Sequence, residues 1–316
     1  MAINEAENVH CRPDIQREGG NIQRSHCLTD VRVAYLPLIF LTSGVVVVRD
    51  RMPAWAFMWA LAIVIYASLK WASWRRSPAR AKTTAARSVG YLLTWPGMDA
   101  DSFLATGGKV FAPRASEWGL AIGKTGLGAI LLWMIARRVP SDWPLLQAWA
   151  GLVGMVLLAH FGSFQLVALL WRRAGVDAVP IMDKPVLSAS LSEFWGRRWN
   201  LAFRQLGHEW IFRPLHREIG VVGAGFLVFV LSGLIHDLVI SLPARGGYGL
   251  PTAYFVLQGA GVALERSQLG RRLGLRGGVN GWLFMALLTA GPAFWLFHPP
   301  FLRNVVLPFM QVIHAI

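Results

Sequence analysis

The stretch "VVGAGFLVFVLSGLIHDLVI", residues 221–240, is apolar except for one serine and a histidine–aspartate pair. As an α-helix, a segment of this length spans about 30 Å, the thickness of the hydrocarbon core of a membrane. The whole chain has the same bias, because 54% of its 316 residues are hydrophobic, only 15% are charged and the mean hydropathy is +0.44. This composition lies outside the usual range of soluble domains and predicts an integral membrane protein.

Further apolar stretches lie on both sides of this one. The seven predicted spans are residues 33–48, 53–69, 118–136, 143–171, 219–241, 250–264 and 281–297. The fourth is too long for one upright helix, so a break is expected near His160 to Gly162, and residues 300–316 form a candidate partial span. The pattern predicts an all-α polytopic helical bundle with about 7–9 transmembrane helices.

The basic residues give an independent test of this arrangement, because Lys and Arg accumulate in cytoplasmic loops. With the N-terminus on the cytoplasmic side, the inside segments hold 24 Lys and Arg and the outside segments hold 6. Topology therefore explains the net charge of +14, and no separate basic stripe indicates nucleic-acid binding. A split of the fourth span would invert every later segment.

The chain is expected to form two regions. Residues 1–32 form a polar cytoplasmic N-terminal tail without the hydrophobic run of a cleavable secretory signal. Cys11 and Cys27 both lie in this tail and are expected to be reduced thiols. Residues 33–316 are predicted to form a single membrane-embedded domain.

Several common chemistries lack the residues they need. The segment "AIGKTG" at 121–126 ends like a phosphate-binding loop, but Trp118 occupies the place of the first glycine, so Lys124 is interpreted as a polar residue within a span. No two of the eight histidines are three or four residues apart, and no G-x-S-x-G motif occurs. Neither a metal site nor a bound cofactor is predicted.

The segment "LSEFWGRRWN", residues 191–200, is unusually rich in aromatic and basic side chains. Ser190 and Glu193 predict a capping box, with a helix beginning near Leu191. On that helix Trp195 and Trp199 share a face that suits the membrane interface.

The glycine and the asparagine of this segment are not needed for an interfacial helix. Asn200 is expected one helical turn beyond Gly196, which has no side chain and would leave room for a ligand near the amide. Arg197 and Arg198 supply fixed positive charge that could meet phosphates. Residues 201–219 are expected to lie along the membrane surface and to bend at Pro214.

A second polar group lies deep in the fifth predicted span. An ionisable residue in a span is costly and usually faces a cavity, so His236 is a candidate functional residue. Ser232 and Gly233, one turn earlier, are small and would leave space for a substrate beside the imidazole. The alternative is a structural histidine that hydrogen-bonds a neighbouring helix with the help of Asp237.

Together, "FWGRRWN" at 194–200 and "SGLIHD" at 232–237 resemble the core signature of the wax synthase branch of the membrane-bound O-acyltransferase (MBOAT) family. Glu193 stands where this branch often has aspartate. The segment "YLLTWPGMD" at 91–99 is similar to an upstream segment of such proteins. The resemblance is strongest over residues 186–240 and extends to the remaining spans only in hydropathy.

The resemblance implies a helical fold enclosing a tunnel, in which an acyl-CoA or acyl carrier donor meets a lipophilic alcohol acceptor within membrane lipid. The family's histidine corresponds to His236 and its asparagine to Asn200. In such a reaction a histidine would act as the general base and an amide would polarise the thioester carbonyl. Trp195, Gly196, Arg197, Arg198, Trp199, Ser232 and Gly233 are the predicted substrate-binding residues.

Two points remain open at the level of sequence. If the fifth span begins at Ile219, His236 lies about 25 Å along it, so the segment that carries Asn200 must enter the membrane for the two to meet. A lipid or small-molecule transporter and a non-catalytic membrane scaffold are the alternative functions, although no paired, interrupted helices of a transporter repeat are evident. The identity of the alcohol is not encoded in any recognisable motif.

Overall fold

The computed structural model describes residues 36–316, and the described elements are helical. The expectations for residues 1–32, including Cys11 and Cys27, fall outside this range. We name the main helices α1 (Leu36–Val47), α2 (Ala54–Arg76), α3 (Ala85–Leu93), α4 (Ala100–Leu104), α5 (Ala115–Arg138), α6 (Pro144–Arg173), α7 (191–198), α8 (Leu201–Ala244), α9 (Leu250–Arg266), α10 (Gln268–Arg272), α11 (Gly278–Leu296) and α12 (299–312).

The seven predicted spans all coincide with helices. Within residues 36–316, five helices are long and apolar enough to cross a membrane, namely α2, α5, α6, α8 and α11. The predicted first and sixth spans correspond to the shorter helices α1 and α9, so the number of long spans is below the predicted range. Apolar side chains point outward from the spans, as shown by Ile122 (58% exposed) and Leu287 (69% exposed). An all-helical membrane fold is thereby confirmed.

The expected break in the fourth span is wrong. Helix α6 continues through residues 157–163 as a π-helical segment, in which each turn holds an additional residue. Gly162 packs directly against Thr125 of α5, so the glycine allows two helices to approach closely and does not end a helix. The break on which an inversion of the later segments would depend is therefore absent from α6.

Helix α8 is a hairpin of two arms. The chain is helical from Leu201 to Ile219, turns at Gly220, whose φ of 76° and ψ of 167° are non-helical, and is helical again to Ala244. The arms face each other, because a methyl group on Gly207 of the first arm would lie 2.9 Å from Cγ1 of Val228 in the second. The chain turns at Gly220 and not at Pro214, where the bend was predicted; Pro214 follows the π-helical segment 208–212 inside the first arm, which stays helical to Ile219.

Candidate active site

Helix α7 begins where the sequence predicts. The Ser190 hydroxyl accepts a hydrogen bond from the backbone N–H of Glu193 at 3.1 Å. The Glu193 carboxylate reaches back one residue further than in a capping box and accepts from the N–H of Ala189 at 2.7 Å. Its other oxygen binds Arg198 at 2.7 Å. These contacts hold the pKa of Glu193 below its usual value, mainly through the Ala189 N–H and then through Arg198.

The expectation that Asn200 continues the helix is wrong. Helix α7 ends at Arg198, Trp199 is extended, and Asn200 has the left-handed conformation (φ 44°, ψ 60°) that starts α8. Asparagine adopts this conformation more readily than most residues with a side chain. The backbone N–H of Asn200 contacts the Met182 sulfur at 3.3 Å, and no described hydrogen bond within residues 36–316 engages its side-chain amide.

Helix α7 runs alongside α9. At its start, the Ser192 N–H donates to the Glu265 carboxylate at 3.0 Å. One turn later, the Trp195 indole N–H donates to the Gln258 amide oxygen at 3.2 Å, and its ring lies 5.7 Å from that of Phe255. The three residues from Ser192 to Trp195 rise only about 4.5 Å, and the Glu265 and Trp195 side chains extend the contact along α9 as far as Phe255. Trp195 therefore packs inside the protein and not in a lipid-facing belt.

The α8 hairpin then returns His236 to the level of Asn200. Asn200 precedes Gly207 by seven residues, and His236 follows Val228 by eight. Because Gly207 and Val228 are in contact, helical rises of about 10 and 12 Å place Asn200 and His236 at similar distances from the contact. Although His236 lies about 25 Å along its span, Asn200 and His236 can therefore meet.

Asn200 and His236 line the same cavity, which has a volume of about 680 Å³. Its walls come from α2, α6, α7, both arms of α8, and α9, and most of the side chains are apolar or aromatic. The lining residues with polar side chains are Tyr66, His160, Ser192, Trp195, Trp199, Asn200, Arg204, His208, Ser232, His236 and Arg266.

The contacts of His236 fix its tautomer. Its Nδ1 lies 2.6 Å from the backbone carbonyl oxygen of Ser232, and a carbonyl only accepts. Nδ1 must therefore carry the proton, which leaves the lone pair of a neutral ring on Nε2. The ring also packs on Phe255 with a centroid distance of 4.4 Å.

Asp237 does not orient His236. Its carboxylate accepts from the Ser241 hydroxyl and the Gly249 N–H, both at 2.8 Å, and from the Thr252 N–H at 3.0 Å. These bonds tie the end of α8 to the first turn of α9. Asp237 is thus a structural residue of the turn that follows the histidine.

The other predicted site residues divide into two groups. Those that line the cavity are Trp195, Gly196, Trp199 and Ser232. A methyl group on Gly196 would meet nothing within 4 Å, as expected if the glycine leaves space. Gly233 does not line the cavity, because a methyl group there would lie 2.7 Å from the Thr252 Cα of α9. Its small size serves helix packing.

The predicted phosphate-facing arginines also lie outside the cavity lining. Arg198 is held by Glu193 and by the Asp183 carbonyl oxygen at 3.3 Å, and Arg197 is exposed. The cations that do line the cavity are Arg204 and Arg266. Arg266 also donates to the Ser192 hydroxyl at 3.3 Å, at the end of α9 that is distant from His236.

Sequence reasoning missed Tyr66 and His160 as lining residues, since neither belongs to the 191–240 motifs. The Tyr66 hydroxyl donates to the Trp95 carbonyl oxygen at 3.1 Å, which connects α2 to the "YLLTWPGMD" segment. His160 is an ionisable residue within a span, and that signal was present in the sequence. Lys124 does not line the cavity; its ammonium lies 5.9 Å from the Phe161 ring.

Residues 178–257 match the model of the membrane bound O-acyl transferase family. The matched residues include α7, both arms of α8 and the start of α9, and thus both Asn200 and His236. The family resemblance inferred from the sequence is confirmed over this segment.

Three relatives show the same resemblance. The chain is 32% identical over 146 residues to a probable long-chain-alcohol O-fatty-acyltransferase 7 of Arabidopsis thaliana, covering 41% of this chain and 42% of the relative. It is 32% identical to a long-chain-alcohol O-fatty-acyltransferase of Simmondsia chinensis, covering 42% and 41%. It is 29% identical to an acyl-CoA–sterol O-acyltransferase 1 of Arabidopsis thaliana, covering 42% and 41%. Each alignment spans less than half the length of the relative.

Proposed function

We propose that this protein is a membrane-bound O-acyltransferase that moves an acyl group from acyl-CoA to the hydroxyl of a lipophilic alcohol, as a wax ester synthase does. The observation that carries the proposal is that Asn200 and His236, brought together by the hairpin at Gly220, line one largely apolar cavity. The names of the relatives and the match over residues 178–257 support the same reaction class.

His236 is the general base of the proposed reaction. The alcohol donates its hydroxyl proton to Nε2, and its oxygen attacks the carbonyl carbon of the thioester. The Nδ1–H of the resulting imidazolium donates a hydrogen bond to the Ser232 carbonyl oxygen, which stabilises the positive charge. When the carbon–sulfur bond breaks, the proton on Nε2 passes to the thiolate, and the ester and free CoA leave. A positioned base of this kind contributes roughly 10²- to 10⁴-fold in rate.

Asn200 acts on the carbonyl oxygen. Its side-chain amide is not engaged by the described residues, so its N–H can donate to the oxygen as negative charge develops there. Loss of one such donor costs roughly 10²- to 10³-fold in other enzymes. The apolar walls strengthen this bond and limit hydrolysis of the thioester by water.

The cavity also suggests how the donor enters. Arg266 stands at the basic end of α9, eleven residues or about 16 Å from Phe255, and Arg204 lines the same space. We assign these two arginines, in place of Arg197 and Arg198, to the phosphates of the donor. In this proposal the basic loops face the cytoplasm, and the N-terminus and the donor lie on that side. No resident cofactor is needed, since acyl-CoA is a co-substrate.

Labelled acyl-CoA incubated with the purified full chain in lipid and a panel of long-chain alcohols and sterols tests the proposal. Formation of labelled ester supports it and identifies the preferred acceptor. Movement of a lipid across vesicles without ester would favour a transporter. If a correctly folded protein forms no ester and moves no lipid, a non-catalytic scaffold is the remaining function.

A further inference from the structure

His160 is a polar side chain of the cavity to which the reaction above gives no role. It lies in the π-helical segment 157–163 of α6, on a wall formed by neither α7 nor α8. Its Nδ1 is buried and has no hydrogen-bond partner among the described residues, and its ring packs edge-on against Phe164 at 5.3 Å. The imidazole thus has no described contact that satisfies it.

His160 and His236 line the same cavity. Twelve residues of α6, or about 18 Å, separate His160 from Arg172, which is paired with Glu117 at 2.6 Å near the basic end of the helix. On α9, Phe255, which packs against His236, is about 16 Å from Arg266. His160 and the Phe255 ring that packs on His236 therefore lie at similar distances from the basic ends of their helices.

We infer that His160 binds the acceptor, with its Nε2–H donating a hydrogen bond to the alcohol oxygen while the hydroxyl proton points to His236. This inference rests on the proposed function and extends it to a residue outside the family motif. Its physical basis is that a hydrogen-bonding group left unpaired in an apolar site disfavours any ligand that cannot pair with it. His160 thus selects an acceptor with a hydroxyl over an otherwise identical hydrocarbon.

Binding measured without turnover tests the inference. Brominated long-chain alcohol and the matching brominated alkane are titrated into the purified full chain, and quenching of tryptophan fluorescence reports binding because Trp195 and Trp199 line the cavity. For each variant we compare the affinity for the alcohol with the affinity for the alkane. Partition of each probe into detergent is the same for every variant, so it does not affect differences in this ratio between variants. The variants are His160→Phe, His160→Gln and, as a matched control, His216→Phe, because His216 does not line the cavity.

We expect His160→Phe to lower the preference for alcohol over alkane about tenfold, which is the size of effect typical of one hydrogen bond in an apolar site. His160→Gln, which keeps an N–H donor, should retain most of the preference, and His216→Phe should retain all of it. In esterification, His160→Phe should raise the KM for alcohol and leave the KM for acyl-CoA within about twofold.

A folded His160→Phe protein with wild-type preference for the alcohol would overturn the inference, as would a wild-type protein with no preference. If the wild type prefers the alcohol and His160→Phe does not, but no alcohol is ever esterified, the proposed function fails while the acceptor site remains. If His160→Phe does not fold, His160→Leu replaces it as the variant without a donor, and His160→Gln remains the variant that keeps one.

Discussion

Gly207 and Val228 face each other between the two arms of α8, with only 2.9 Å between Cγ1 of Val228 and the place a methyl group on Gly207 would occupy. This contact sets the spacing of the arms and thereby the position of Asn200 relative to His236. Over-packing of a close contact costs about 1–3 kcal/mol. The reaction geometry therefore depends on a residue that does not touch the substrate.

Gly207→Val is expected to lower both thermal stability and esterification, because the arms must separate to admit the new side chain. Gly126→Val is the matched control, since a methyl group on Gly126 would meet nothing within 4 Å. A second substitution, Val228→Ala, should restore part of the activity of Gly207→Val, as measured in a double-mutant cycle. Independent effects of the two substitutions would contradict the proposed contact.

Gly220→Ala is expected to destabilise the protein by about 1–3 kcal/mol, because its φ of 76° and ψ of 167° lie in a region that is essentially restricted to glycine. Pro214→Ala, at a position where the first arm stays helical, should change stability much less. Thermal unfolding of both variants in the same detergent tests this. If Pro214→Ala lost as much stability as Gly220→Ala or more, the proline and not the glycine would determine the turn.

Glu193 should make the fold sensitive to acid. Its pKa is lowered in the folded protein by the Ala189 N–H and Arg198, so it contributes stability above its unfolded pKa, near 4.3. That contribution is lost as the pH falls through the lowered pKa. Glu193→Gln should therefore reduce the unfolding temperature at neutral pH, and the difference from the wild type should shrink on acidification. A difference that grows at low pH would exclude this role.

Arg266→Ala is expected to raise the KM for acyl-CoA several-fold and to weaken its dependence on salt, because a fixed positive charge is removed from the donor end of the cavity. Arg197→Ala, which removes an exposed arginine outside the cavity lining, serves as the control and should leave this KM unchanged. Steady-state kinetics at two salt concentrations separate these results. A larger rise in this KM with Arg197→Ala than with Arg266→Ala would instead support Arg197 as the residue that meets the donor phosphates.

The helices were predictable because each depends on local information. Hydropathy over about twenty residues located the spans, and the Ser190 hydroxyl located the start of α7. The hairpin of α8 was not predictable in the same way. Gly220 and Pro214 both disturb a helix, and only packing of the arms, such as Gly207 on Val228, decides where the chain turns.

The candidate site shows a similar division. A histidine within a span and an unexplained asparagine identified His236 and Asn200, but the roles of neighbouring residues depended on tertiary contacts. Arg198 is paired with Glu193, and Gly233 packs on Thr252, and neither contact leaves a signal in a single sequence. Arg204, Arg266 and His160 join the cavity because five separate helices converge there.

The central claim is that Asn200 and His236 act together on one thioester, and the rate of ester formation by His236→Ala, Asn200→Ala and the double variant tests it most directly. We predict that His236→Ala loses roughly 10²- to 10⁴-fold and Asn200→Ala roughly 10²- to 10³-fold in kcat. The double variant should lose little more than His236→Ala, because the two groups serve a single step. Near-wild-type turnover by correctly folded His236→Ala protein would contradict the account.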